Sequence, residues 1–225
     1  MTIEAAKQKS TTIQAVDSIR SLIFSGELAA GTDHLESELA ERLGMSRTPV
    51  REATLMLAQQ GLLEVRPRKG VRICALSVRD MEEVYAVLTE LESLAAEDAA
   101  RVGYSEEELT NLKSAIDSMD RSIADQNLED WAAADDSFHS ELVRLGGNSR
   151  VQTIVTMMSD QVRRARSITL YIRPLPVKSN EDHRELYEAI RRGDPVAARQ
   201  IHRRHRSQAR ELLVGLLHRH RLSFL

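Results

Sequence analysis

The chain has 225 residues, of which 42% are hydrophobic and 29% are charged, and its formal net charge is −3. This length can bury a core in one or two domains, and 4% aromatic residues with abundant Ala, Leu, Glu and Arg favour helices. The single cysteine, Cys74, excludes an internal disulfide and fits a reducing compartment. Because the N-terminus lacks the apolar core of a signal peptide and no segment approaches the length of a membrane span, we expect a cytoplasmic protein without membrane contact.

The first predicted elements are three helices. Residues 12–25 carry apolar side chains at helical spacing and stop before Gly26. After a loop, residues 36–43 form a second helix that ends at Gly44. Ser46 caps a third helix, since serine is a preferred residue at that position. Two helices joined by about three residues make a helix-turn-helix by local rules.

The third helix has two distinct faces. At 100° per residue, the apolar side is formed by Val50, Ala53, Thr54 and Leu57. The basic side is formed by Arg47, Thr48 and Arg51. The major groove of DNA admits a helix, and a guanine edge accepts hydrogen bonds from an arginine fork. A basic pair alone is more often a solvated helix face, so the interpretation needs a second feature.

A predicted β-hairpin follows directly and supplies that feature. Residues 62–65 and 71–74 alternate as two strands around a basic tip, Arg66-Pro67-Arg68-Lys69-Gly70. Such a hairpin after a recognition helix is a wing that reaches the DNA backbone or minor groove. The predicted DNA-contacting residues are therefore Ser46, Arg47, Thr48, Pro49, Arg51, Arg66, Arg68, Lys69 and Gly70.

The run ESELAERLGMSRTPVREATLMLAQQGLLEVRPRKGVRI resembles the winged helix-turn-helix of the GntR family of bacterial transcription regulators. The resemblance covers nearly all of residues 13–74. It implies that Arg47, Thr48 and Arg51 contact operator DNA, together with the wing around Lys69 and Gly70. We therefore predict a DNA-binding domain over residues 1–75.

Residues 76–225 are predicted to form an all-helical bundle, which makes the fold class mainly α. Six helices are expected, with ends marked by capping residues, glycine or proline: about 77–101, 105–124, 128–145, 149–171, 180–192 and 195–220. A bundle of six to seven helices is consistent with this pattern. The arginines of residues 203–210 are expected on the solvated surface.

Four polar side chains in the bundle are predicted to point inward. Asp135 and His139 are four residues apart on the flank of one apolar stripe, while His183 and His205 lie within the apolar stripes of two other helices. A single inward histidine is usually a satisfied core residue, but this group suits Zn²⁺, Ni²⁺, Mn²⁺ or Fe²⁺. We predict a divalent metal site formed by these four residues.

The segments DDSFHSEL and HRELYEAIRRGDPVAARQIHRRH resemble the FCD effector domain of the FadR-like branch of the GntR family. That resemblance implies the same four metal ligands and a small organic acid held at the metal. Glu92 is predicted to point inward, either to orient a ligand of the metal or to pair with an arginine. Positive charge for a carboxylate effector could come from Arg163, Arg164 or Arg166.

The expected function is that of a homodimeric transcriptional regulator, a repressor by the commoner family behaviour, whose operator affinity responds to the organic acid. Two alternatives remain. One is a regulator in which the metal ion itself is the signal. The other is a helical metalloenzyme, which we rank last because no convincing general base or nucleophile is present beyond Glu92, so no enzyme activity is expected.

Overall fold

The computed structural model describes residues 3–220, with side chains from residue 11 onward. Its helices are α1 (Ile3–Phe24), α2 (Glu36–Leu43), α3 (Arg47–Gln59), α4 (Val78–Val102), α5 (Thr110–Ala124), α6 (Leu128–Leu145), α7 (Ser149–Thr169), α8 (Val177–Arg191) and α9 (Pro195–Arg219). Its strands are β1 (Asp33–His34), β2 (Leu63–Arg66) and β3 (Gly70–Ile73). The described chain divides into two compact units between Ser77 and Val78. The prediction of a mainly α protein with an N-terminal winged helix-turn-helix is confirmed.

The N-terminal unit is built on one apolar core shared by its helices and its sheet. Its fully buried side chains come from α1, α3 and β3: Ile19, Val50, Leu57, Val71 and Ile73. The apolar face predicted for the third helix is therefore the face that packs. Burial of each such side chain contributes roughly 1.5–3 kcal/mol, which fixes the orientation of α3 within this unit.

The turn between α2 and α3 follows the predicted local chemistry with one difference. Gly44 adopts a left-handed conformation with φ 62° and its N–H donates to the carbonyl oxygen of Ala40, as expected of a glycine after a helix. Ser46 stands at the N-cap in an extended conformation, but its side chain forms no capping hydrogen bond. The hydroxyl of Ser46 is exposed, so it can donate elsewhere.

The wing is part of a three-stranded antiparallel sheet in the order β1-β3-β2. The predicted hairpin is present, with Val65 paired to Val71. The added strand β1 pairs Asp33 with Arg72, and their side chains form an ion pair with a 2.6 Å Nη2–Oδ2 distance. A strand of two residues is too short to produce an alternating pattern, which is why the sequence predicted only a loop there.

The second unit is a bundle in which α4 packs along α9, while α5, α6 and α8 complete the core. Its largest fully buried side chains include Trp131 and Phe138 of α6 together with Leu109 and Leu112. A capping box forms at the predicted start of the second bundle helix, since the Ser105 N–H donates to Glu108 Oε2 at 2.9 Å and the Glu108 N–H donates to Ser105 Oγ at 3.3 Å. The regular helix α5 nevertheless starts one turn later.

Two further predicted helix starts differ from the structure. Helix α8 begins at Val177, before the predicted residue 180, because Asn180 is a buried residue of the helix and not its cap. Helix α1 begins at Ile3, before the predicted residue 12. Within the described residues, none of the helices has the length and apolar character needed to cross a membrane.

Candidate functional site

The basic face of α3 is exposed while its opposite face is buried. Arg47, Thr48 and Arg51 are exposed, whereas Pro49 and Val50 are buried. Within the described part of the chain, Arg47 and Arg51 form no ion pair. Their charges are therefore available to an anionic partner, and they project from the first two turns of a helix whose N-terminus favours phosphate.

The wing tip presents a second basic surface. Arg68 and Lys69 are exposed and, among the described residues, neither has an ion-pair partner, whereas Arg66 lies 3.4 Å from Glu64. Arg68 adopts a left-handed conformation with φ 64°, which only a tight turn imposes on a side chain of this size. Two of the three predicted wing cations thus carry charge that is not neutralised within the wing.

The four predicted metal ligands come together inside the second unit. Asp135 and His139 on α6, His183 on α8 and His205 on α9 are all at least 92% buried. One ligand nitrogen from each of the three histidines lies within 4.8 Å of the other two. Two ligand atoms at 2.0–2.1 Å from one ion can be about 4 Å apart, so small side-chain rotations suffice to share an ion.

The histidine cluster is poorly satisfied by protein partners alone. Both ring nitrogens of His183 are buried without a hydrogen bond, and burial, followed by the neighbouring His205, lowers the pKa of His183 well below its ordinary value. A neutral imidazole is the form that ligates metal. Buried polar atoms without partners are rare and costly, so this donor set fits a divalent cation.

Asp135 is shared between the cluster and an arginine. Its Oδ2 accepts a hydrogen bond from Arg166, which also pairs with Asp136. Its Oδ1 lies 3.6 Å from His183 Nε2 and 3.8 Å from His139 Nε2. Burial is the largest single influence and opposes ionisation, but the surrounding groups together, Arg166 first among them, outweigh it and hold the pKa of Asp135 below its ordinary value. One oxygen of an ionised carboxylate therefore faces the histidines.

A second buried triad adjoins the first and shares His139 with it. It consists of Glu92, His139 and His202. Glu92 Oε2 is 3.0 Å from His139 Nδ1 and 3.3 Å from His202 Nε2, and His202 Nδ1 is 3.2 Å from the hydroxyl of Ser93. Arg206 binds the same carboxylate with two nitrogens. Because that guanidinium already neutralises Glu92, this triad is better suited to hold His139 in position than to bind a second cation.

Arg206 corrects the expectation that the arginines of residues 203–210 lie on the surface. It is 7% exposed and paired with the fully buried Glu92. Burial raises the pKa of Glu92, but Arg206 and then His139 outweigh that effect and the pKa lies well below its ordinary value. Both alternatives for Glu92 are thus present together: it pairs with an arginine and it contacts a histidine of the cluster.

A cavity of about 40 Å³ opens against the cluster. The residues that line it include Tyr85, Trp131, Asp135, His139, Arg166, Arg173, His205 and Arg206, with Val162, Leu212, Leu213 and Leu216 as an apolar wall. Of the three arginines predicted for an effector, only Arg166 lines this cavity. Arg163 is exposed and pairs with Asp136 and Asp160, and Arg164 is buried outside it.

The sequence analysis missed two cavity arginines. Arg173 lies in the loop after α7, where no helical period indicates direction, and its guanidinium carbon is 4.8 Å from the ring centroid of Trp131. Arg206 lies four residues after His202 on α9, and that i,i+4 relation to a buried histidine is a signal that could have placed it inward. The cavity thus combines potential metal ligands with cationic side chains, as binding of a small anion requires.

Comparisons with known proteins agree with this arrangement. The profile described as "Bacterial regulatory proteins, gntR family" matches residues 11–73, and the profile of the FCD domain matches residues 83–208. These two matches cover the winged unit and the helices that carry the histidine cluster.

Individual relatives are transcriptional regulators and not enzymes. An uncharacterized HTH-type transcriptional regulator of Streptomyces ambofaciens is 34% identical over 193 residues, covering 83% of this chain and 78% of its own length. The "Probable D-xylose utilization operon transcriptional repressor" of Paenarthrobacter nicotinovorans is 31% identical, covering 82% of this chain and 80% of its own. Among solved structures, E. coli McbR/YncC has the same fold with a TM-score of 0.76 at 21% identity, over 91% of this chain and 97% of that chain. The chain belongs to the GntR family of bacterial regulatory proteins, as a DNA-binding transcriptional regulator that carries an FCD domain.

Proposed function

We propose that this regulator is a homodimeric repressor of the FadR-like branch whose operator affinity is changed by a small organic acid bound at a divalent metal. Asp135, His139, His183 and His205 would hold the ion. The ion would supply a Lewis-acidic position for an oxygen of the acid. The observation that carries the proposal is the buried histidine cluster, with both nitrogens of His183 lacking protein partners, at the wall of a cavity lined by arginines.

The DNA-binding residues of this proposal are those predicted from the sequence. Ser46, Arg47, Thr48 and Arg51 would meet the major groove, whereas Pro49, also predicted there, is buried and would only shape the first turn of α3. Arg66, Arg68, Lys69 and Gly70 would meet the backbone or minor groove. Supporting this, the described structure leaves the cations of α3 and of the wing tip exposed. A twofold dimer would read an inverted repeat, because operator symmetry mirrors protein symmetry.

Regulation requires a difference in affinity. An effector changes operator binding only if it binds one state of the dimer better than another. The repressor sense is supported by the name of the Paenarthrobacter nicotinovorans relative. The second candidate is a direct metal sensor, favoured by the same cluster, in which the ion alone produces the change in affinity.

The test uses a DNA duplex that the full-length protein selects from a random pool. Fluorescence anisotropy measures the affinity of the protein for this duplex. The three samples are metal-free protein, metal-restored protein, and metal-restored protein with succinate or butyrate. An effect of the acid that requires metal supports the proposal. An effect of metal alone supports the sensor. Operator affinity that is the same in all arms contradicts both.

An Arg51→Ala variant tests the DNA-reading face in the same assay. We expect a loss of about 1–3 kcal/mol of operator binding, with thermal unfolding unchanged because Arg51 is exposed. The matched control is Arg121→Ala, which removes an exposed arginine of α5 whose side chain donates a hydrogen bond to Ser118, and it should leave operator affinity intact. Equal affinity of both variants would exclude Arg51 from the DNA interface. Light scattering on the same samples measures whether the protein is a dimer.

A further inference from the structure

The arginines that line the cavity differ in how their charge is balanced. Arg166 is held by Asp135 and Asp136, and Arg206 is held by Glu92. Arg173 also lines the cavity, yet among the described residues it has no carboxylate partner, and its Nε is buried without a hydrogen bond. Within the part of the chain that the structure describes, one cavity cation is therefore left without a counter-charge.

A guanidinium that is largely withdrawn from water without a counter-charge is costly. Burial lowers the pKa of Arg173 below its ordinary value, although an arginine remains protonated at neutral pH. An anion that enters the cavity would remove this cost. The free energy gained would add directly to the affinity for that anion, and only for an anion.

The surroundings of Arg173 hold its guanidinium in one place. The group lies over the indole ring of Trp131 at 4.8 Å. That ring is 1% exposed and is fixed by its own hydrogen bond, in which Nε1–H donates to Asn180 Oδ1 at 2.9 Å. Asn180 is held in turn because its Nδ2 donates to Asp120 Oδ1 at 2.9 Å. A guanidinium held over an aromatic ring still has N–H donors at the edge of its own plane, and two of them suit a two-oxygen acceptor.

We propose that Arg173 binds the carboxylate of the effector through paired hydrogen bonds and thereby selects small carboxylic acids over neutral molecules. This inference rests on the proposed organic-acid function and assigns its anion-binding residue to the loop between α7 and α8. It differs from the expectation drawn from the sequence, which placed the positive charge on α7.

The size of the cavity restricts the ligand further. At about 10–15 Å³ for each water-sized group, a cavity of about 40 Å³ has room for about three such groups in the present conformation. The apolar wall of Val162, Leu212, Leu213 and Leu216 favours a short carbon chain next to the carboxylate. The class of ligand is therefore a short-chain organic acid.

The test is isothermal titration calorimetry on the metal-loaded, full-length protein. The probes are acetate, butyrate and succinate, with butyramide as the uncharged counterpart of butyrate and inorganic phosphate as a different anion. The variants are Arg173→Gln, which removes the charge, and Arg173→Lys, which keeps the charge without the fork. The control is Arg191→Gln, which removes an exposed arginine of α8 paired with Glu188.

We expect the acid that binds best to lose about tenfold to a hundredfold in affinity in Arg173→Gln, a smaller loss in Arg173→Lys, and no loss in Arg191→Gln. Far-ultraviolet circular dichroism and thermal unfolding of Arg173→Gln should match those of the wild type, which shows that the variant is folded. The proposal for Arg173 would be overturned by any of three results: equal acid affinities of wild type and Arg173→Gln, butyramide binding as tightly as butyrate, or phosphate binding more tightly than every acid.

Failure of this inference is distinguishable from failure of the proposed function. If no acid binds the wild type at millimolar concentration, both the organic-acid function and the carboxylate assignment to Arg173 are overturned. If an acid binds and alters operator affinity equally in wild type and in Arg173→Gln, the proposed function stands and only the role of Arg173 is removed. Absence of metal from the purified and reloaded wild type would instead remove the proposed centre.

Discussion

Individual side chains of the histidine cluster were predictable where helical period applies. The angular positions of His139, His183 and His205 predicted their inward direction from sequence alone, and all three are buried. Arg206 was misassigned because a run of arginines is normally a solvated surface, whereas burial of Glu92 draws one of them inward. Arg173 could not be placed, since a loop containing proline has no period from which to infer a direction.

Glu92 is expected to orient His139 for metal binding. Its Oε2 lies 3.0 Å from His139 Nδ1, so its charge favours a proton on Nδ1 and leaves Nε2 as the ligand nitrogen. We expect Glu92→Gln to weaken metal binding by about 10–100-fold, measured by competition with a coloured chelator. The matched control is Glu90→Gln, which changes an exposed glutamate of α4 that pairs with Arg203.

Two further outcomes interpret the Glu92 result. Unchanged metal affinity in a folded Glu92→Gln protein would limit this residue to its ion pair with Arg206. A double variant, Glu92→Gln with Arg206→Gln, removes the unbalanced guanidinium as well. If the double variant recovers metal affinity, the loss in the single variant came from repulsion by Arg206 and not from the orientation of His139.

At the scale of elements, helices were predicted better than the sheet. Long apolar periods located all six helices of the bundle, with starts that shift by a few residues where caps are ambiguous. Strand β1 has only two residues and is defined by its pairing with β3, a long-range contact that no local pattern contains. The wing is therefore anchored by a residue pair, Asp33 and Arg72, that the sequence does not place together.

The pairing of β1 with β3 depends on a close approach between the backbones of Gly70 and His34. Gly70 has φ +81°, and a Cβ at this position would lie 2.2 Å from the carbonyl oxygen of His34, which is backbone of β1. We expect Gly70→Ala to separate β1 from β3, at a cost of more than about 1 kcal/mol. Hydrogen exchange of the amides of residues 63–73 should become faster, and operator affinity should fall.

Gly26→Ala is the matched control for this change. Gly26 has a similar φ of +79° but nothing lies within 4 Å of the position of a Cβ. The control therefore carries the conformational strain without the collision. If both variants show the same exchange rates in the wing, the close approach to His34 is not what holds the sheet together.

At the scale of the whole molecule, the net charge of −3 hides an uneven distribution of unpaired charge. The exposed cations of α3 and of the wing tip have no ion-pair partner among the described residues, while many arginines of the bundle are paired. Distribution, more than the sum, determines attraction to DNA. Composition alone could therefore neither exclude nor establish the function.

The stability of the protein should depend on pH through His202. Burial lowers the pKa of His202 to about 3, below the value of ~6.5 for an exposed histidine. The unfolded chain thus binds a proton that the folded chain does not, so stability is complete above pH ~6.5 and declines as the pH falls toward 3. Between about pH 7.5 and 5.5 this amounts to about 1.4 kcal/mol.

Urea unfolding of metal-free protein at both pH values measures this effect. The difference in free energy of unfolding should be smaller by about that amount in His202→Gln, which has no titratable ring. An equal pH dependence in wild type and variant would mean that His202 is not the group responsible. Subtracting the pH-dependent change in the variant from that in the wild type cancels the contribution of every other titrating residue that the substitution leaves unchanged.

The cation-π contact between Arg173 and Trp131 places an indole ring next to a cation of the cavity. Trp131 is the only tryptophan of the chain, and its indole forms part of the cavity wall. Indole emission responds to nearby charge and to hydration, so the protein contains an intrinsic fluorophore at the place where a ligand would arrive. Candidate effectors can therefore be screened by ultraviolet emission on unlabelled protein, in a measurement that needs no operator DNA.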